Sequence, residues 1–218
     1  MRAEGSALGL GNVAGRHSPE ADRYTAAWAA ARPYMRARKN DVHVPISFWY
    51  AQRLLERHPE ADADVVLLAV MFHDAGWAVI DEERIYAEGF ATGDQEVDLA
   101  SEVRILHEKE GARLASEALG GLGEPVALIE EVAAIIDGHD SRREALSRND
   151  ELVKDADKLW RCSVAGVSVG CDWFSLTPAQ YAARQERQMP EILFTDAALE
   201  IAARDLAQTR AILQTTVL

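Results

Sequence analysis

The stretch ADVVLLAVMFH, residues 63–73, is apolar on nearly every side and constrains the fold more than any other feature of the chain. At helical spacing it makes one helix of about three turns, and a helix without a polar face has to be enclosed by others. It also ends in a histidine that is followed by an aspartate, in MFHDAGW. A buried imidazole beside a carboxylate is expensive unless a hydrogen-bonded pair or a metal ion compensates it.

The rest of the chain supplies the enclosing helices. Residues 1–17 are Gly- and Ala-rich without periodicity and read as a flexible arm ahead of a single domain over 18–218. SPEADRYTAAWAAARPYMRARK opens with Ser18 as N-cap, Pro19 at the first helical position and Glu20 in the first turn, and Pro33 is placed to kink or end that helix. A second helix is expected from about His43 to Arg57 with Pro45 in its first turn, and the apolar third is expected to close at Gly76. From Ala78 to Gly93 the pattern weakens into a short helix and a loop. QEVDLASEVRILHEKEGARLASEAL is the longest helical pattern, closed by GGLG. Glu124-Pro125 starts another helix that ends near Asp137-Gly138. The turn-rich HDSRREALSRND follows, where Asn149 or Asp150 can cap a helix through Trp160. SVAGVSVGC, residues 163–171, reads as close helix packing, since it lacks the Lys-Ser/Thr ending of a phosphate loop. Two more helices are expected at about 178–188 and 194–214. No segment alternates with period two, so the fold class is all-α.

A chain of 218 residues is long enough for one well-cored domain. Its net charge of −13 argues against a nucleic-acid polymer or an anionic membrane as partner. A small phosphorylated substrate remains open, because a bound cation reverses the local sign. Cys162 and Cys171 form no CxxC and no disulfide framework, and neither a signal peptide nor a membrane span is evident, so a cytoplasmic protein is expected. The Ala-rich first helix can pack on its own core or on a second subunit, which leaves a homo-oligomer open.

Four of the six histidines stand where a scaffold can aim side chains at a shared point. His43 is at the mouth of the second helix, and His73 with Asp74 closes the third. His107 lies in the long helix four residues before Gly111, and His139 follows the next helix in IIDGHD. His17, in the arm, and His58, in the polar turn ERHPEAD, read as ordinary polar residues. ELVKDADKLW adds a carboxylate, but Asp155 and Asp157 flank the buried face on opposite sides and periodicity does not choose between them. Imidazole nitrogen with carboxylate oxygen suits one or two divalent transition metal ions, Mn, Fe, Co, Ni or Zn, whereas an all-carboxylate cage would suit Mg or Ca.

The order H … HD … H … H … D, carried by HDAGW, HEKEGA, IIDGHD and DADKLW over about residues 40–165, resembles the HD-domain superfamily of metal-dependent phosphohydrolases. The resemblance implies an HD-type helical bundle with a metal site in its core. It assigns His43, His73, Asp74 and Asp157 to a primary metal, with Asp155 left to a supporting role. It also assigns His107 and His139 to a second metal bridged by Asp74, or to contact with substrate phosphate.

Around this set, Asp74 and Lys158 are candidate catalytic groups, and Arg104, i, i+3 from His107, can face the same cavity. Of the basic cluster Arg36, Arg38 and Lys39, two are expected on a solvated face. Glu108 and Asp140 are candidates for proton transfer, with a surface or supporting role as the simpler reading. The expected activity is hydrolysis of a small phosphoester, a nucleotide foremost, by metal-activated water. The same six residues also resemble those of HD-type di-iron oxygenases that cleave C–C or C–P bonds. A third reading is a non-catalytic nucleotide-binding module, against which the complete ligand set counts.

Overall fold

The computed structural model describes residues 19–88 and 101–215. The expected arm, the Ser18 cap, and the part of the 78–93 and long-helix predictions that falls on 89–100 lie outside the described residues. Ten α-helices and no strand occur among the described residues: α1 (Pro19–Ala31), α2 (Asn40–Leu55), α3 (Ala63–Phe72), α4 (Glu82–Glu88), α5 (Glu102–Gly121), α6 (Val126–Ile136), α7 (Arg148–Leu159), α8 (Val164–Phe174), α9 (Pro178–Ile192) and α10 (Asp196–Thr215). The chain is an all-α bundle, and no helix among the described residues is long and apolar enough to cross a membrane.

α3 is the centre of the bundle, as its lack of a polar face requires. Every residue from Val65 to Phe72 is buried, and α1, α2, α5, α6 and α7 pack around it. Each large apolar side chain so enclosed contributes about 1.5–3 kcal/mol. Asp62 caps its N-terminus, accepting from the amides of Asp64 (3.0 Å) and Val65 (3.2 Å).

Several local expectations are corrected. α2 begins three residues before His43, at Asn40, so Pro45 lies beyond its first turn. The cause is upstream: Arg38 and Lys39 both adopt left-handed backbone (φ 52° and 60°), which turns the chain sharply into the helix. α3 is not closed by Gly76, because it ends at Phe72 and a 3-10 turn, Ala75–Val79, follows. α7 is capped by Ser147, whose Oγ accepts from the Asp150 amide. Asp150 instead accepts from Arg142 Nη2 (2.9 Å) and the Leu146 amide (2.8 Å), and Asn149 Oδ1 accepts from the Asp62 amide (2.9 Å).

The small residues of 163–171 do serve close packing, within α8. A Cβ on Gly166 would lie 2.0 Å from the Trp160 carbonyl oxygen, and one on Gly170 would lie 2.2 Å from the Tyr181 ring. Downstream, α9 carries a Thr177–Gln180 capping box and runs four residues past its predicted end.

Candidate metal centre

Four helices and the loop after α6 deliver six side chains to one point in the core. His43 comes from the first turn of α2, His73 and Asp74 from the end of α3, His107 from α5, His139 from the loop after α6, and Asp157 from α7. All six are buried. His43 Nε2 lies 2.8 Å from His73 Nε2, and Asp157 Oδ1 lies 3.2 Å and 3.5 Å from those two nitrogens. Asp74 Oδ2 is 3.4 Å from His43 Nε2 and 3.8 Å from His73 Nε2. Two ligands bonded to one ion at about 2.1 Å stand about 3.0–3.5 Å apart at octahedral or tetrahedral angles, so these separations have the scale of one coordination shell.

The other oxygen of Asp74 faces a second set. Oδ1 is 3.7 Å from His107 Nε2 and 3.6 Å from His139 Nε2, and accepts from Trp77 Nε1 at 2.9 Å. Backbone carbonyls fix the rings: His73 Nδ1 meets the Val70 carbonyl at 2.8 Å and His139 Nδ1 meets that of Ile136 at 2.9 Å, which aims each Nε2 inward. Trp77 stacks on the His107 ring with centroids 3.9 Å apart.

The residues present fit a metal. The Nε2 atoms of His107 and His139 are buried without a hydrogen-bond partner, an arrangement that costs stability unless a cation engages them. Three overlapping triads, His43–His73–Asp157, His73–Asp74–His139 and His107–His139–Asp140, each bring their ligand atoms within 4.8 Å of one another. The mixed nitrogen and oxygen donors suit a divalent transition ion.

Charge is strongly organised here. Burial alone would raise Asp74, Asp140 and Asp157, yet all three are held well below the usual carboxylate range. For Asp74 the opposing groups are chiefly His73, His139 and His43, and for the other two Lys158 leads. Burial, reinforced by His139, keeps His107 well below the ordinary imidazole value. Burial also opposes the charge on His139, but Asp74 and Asp140 prevail and raise it to about 9.

A cavity of about 1060 Å³ opens from the cluster, lined by both Arg104 and Lys158. Arg104 Nη1 donates to Asp140 Oδ2 at 2.9 Å, and Lys158 bridges Asp140 and Asp157. Of the upstream basic cluster only Arg38 lines this cavity, its guanidinium held between Trp77 (4.2 Å) and Trp173 (5.0 Å), while Arg36 and Lys39 are exposed. Glu108 is buried at 1 % exposure, not on the surface. It accepts from the amides of Asp140 and Ser141, both at 2.7 Å, and from Ser141 Oγ at 2.6 Å, so it anchors the loop that carries His139.

Asp155 points away from the cluster. It accepts from the Phe194 amide (2.7 Å), the Thr195 amide (3.1 Å) and Thr195 Oγ1 (2.7 Å), closing the α9–α10 junction. His58 pairs with Glu60 at 3.1 Å, apart from the site, and His17 lies outside the described residues. Sequence reasoning missed Arg161, which also lines the cavity. It lies in the 3-10 turn Trp160–Cys162 that follows α7, and its nearness in sequence to Asp157 was the available signal.

No curated protein and no solved structure matches the chain. A family model described as HD domain matches residues 43–161, more than half of the chain and all six clustered residues. The chain therefore belongs to the HD domain family.

Proposed function

We propose that the protein is a metal-dependent phosphohydrolase acting on a small phosphoester, with a nucleotide as the favoured class. HD domain proteins are mostly metal-dependent hydrolases, which supports an enzyme at that level. The observation that carries the finer reading is the placement of Asp74, whose two carboxylate oxygens face two separate imidazole sets at the mouth of a cation-lined cavity.

On this reading His43, His73, Asp74 and Asp157 would hold one ion. His107 and His139, with Asp74, would hold a second or contact substrate phosphate. When bound, a divalent ion supplies Lewis acidity and lowers the pKa of water towards neutrality. The chain's own residues do the rest. Lys158 and Arg104 orient the phosphoryl oxygens and offset their charge, and Asp140 restrains both cations. Glu108 keeps the 139–141 loop in place. The rings of Trp160 and Trp173 line the cavity and suit a planar leaving group, which is the reason for favouring a nucleotide.

A cationic cavity suits a phosphonate as well as a phosphoester, so oxygen dependence separates the hydrolase from an HD-type oxygenase. Protein stripped by chelation and reloaded with Mn should release phosphate from nucleotides or sugar phosphates in anaerobic buffer. A strict requirement for iron and dioxygen, with no ester hydrolysed across the panel, would overturn the reading. Nucleotide binding by metal-free protein without turnover under any loading would instead indicate a non-catalytic module.

A further inference from the structure

Although the chain carries a net charge of −13, the cavity beside the cluster is lined by eight Lys and Arg side chains against four carboxylates. Half of these cations have structural work. Arg104 and Lys158 are held by Asp140, Arg142 by Asp150, and Lys154 by the carbonyls of Gly138 (3.0 Å) and Arg142 (2.6 Å).

Arg161 is different. It lies one helical turn past Asp157, and its half-buried guanidinium makes no ion pair or hydrogen bond with any described residue. Burial opposes its charge, but the nearby carboxylates of Asp157, Asp140 and Asp74 sustain it without taking up its N–H donors, which stay available to a ligand anion.

The facing wall comes from α8 and α9, which lie beyond the residues matched by the family model. Tyr181 of α9 is 2 % exposed and lines the same cavity, and its hydroxyl makes no hydrogen bond to a described residue. It can occupy this position because Gly170 of α8 offers no Cβ to collide with its ring. One turn along α9, Arg184 stacks on Phe174 at 4.5 Å, and the charges of both Arg161 and Arg184 reach the Tyr181 hydroxyl. A forked guanidinium and a phenolic donor, backed by a second guanidinium, match a tetrahedral oxyanion with several acceptor oxygens.

We propose that Arg161 and Tyr181 form an anion subsite beside the metal cluster, which receives a second phosphoryl group of the substrate. The proposal rests on the phosphohydrolase reading only for the identity of the first phosphoryl group. The second group is either in series with the first or carried on another hydroxyl of the same molecule.

The test is calorimetric titration of the metal-loaded full chain with three probes: AMP, the methylene-bridged analogue of ADP, and adenosine 3′,5′-bisphosphate. At least one doubly phosphorylated probe should bind about tenfold more tightly than AMP, the scale of one or two added charge-assisted hydrogen bonds. Which probe gains tells whether the groups are in series or separate. R161Q should bring the ratio towards one, and Y181F should reduce it by a smaller factor. Thermal melts establish that each variant is folded, and Y181F carries the test if R161Q is not. Equal affinity for all three probes, or a preference that survives in the folded variants, would overturn the subsite. Affinities are read with the loaded ion exchanged for one that supports no phosphate release, as assayed in parallel, so failure to release phosphate under Mn would count against the hydrolase reading alone.

Discussion

Gly76 packs so closely against His107 that a Cβ on the glycine would sit 1.9 Å from the His107 carbonyl oxygen. The same added atom would lie 2.6 Å from the Gly111 amide nitrogen. The turn after α3 and the middle of α5 thus touch backbone to backbone, and this contact sets His73 and Asp74 at their distance from His107. G76A should destabilise the fold by about 2–3 kcal/mol, at the upper end of overpacking costs because neither opposing atom belongs to a flexible side chain. Denaturant melts give the stability, and elemental analysis should show reduced metal content in whatever folds.

Asp155 and Asp157 sit two residues apart on α7 and should respond in opposite ways. D157A removes an oxygen 3.2 Å from His43 Nε2 and should abolish metal retention and turnover. D155A strands two amides and a hydroxyl at the α9–α10 junction and should cost about 2–4 kcal/mol while metal content persists in the folded fraction. Metal analysis and urea melts on both variants check this, and the reverse pattern would mean that the motif is in the wrong register.

Glu108 acts through the loop it holds. E108A leaves two backbone amides and the Ser141 hydroxyl without their acceptor, at a cost of about 2–4 kcal/mol, and should lower metal affinity by loosening His139. E108Q keeps one carbonyl oxygen for the amides and should recover most of both losses. A proton-transfer role would give the other outcome, with E108Q as inactive as E108A at unchanged stability.

The two thiols should differ in reactivity. Burial raises Cys162 to about 12, so at pH 8 its thiolate is scarce as well as enclosed. Cys171 is also raised by burial but is partly accessible. Iodoacetamide at pH 8 should modify Cys171 alone in the native protein and both thiols after denaturation, as read by mass spectrometry. Prompt native labelling of Cys162 would show that the 3-10 turn Trp160–Cys162 opens readily.

The sequence alone determined that the chain is helical, that 63–73 is its centre, and that a His/Asp series stands at helix ends. Those features rest on periodicity and local chemistry, which act over a few residues and are written in order along the chain. The choice of Asp157 over Asp155 was open to periodicity, because both aspartates border the same buried face of α7; the family resemblance chose, and the position of α10 explains the result. Only the tertiary structure decided that Gly76 serves contact with α5 and not closure of α3, that Glu108 anchors a loop over 30 residues away, and that Arg38 and Arg161 reach the cavity while Arg36 and Lys39 face solvent. The physical reason is the same in each case. A close backbone approach, a buried acceptor or a cation aimed into a cavity is fixed by which distant helix packs opposite, and local spacing carries no record of that neighbour.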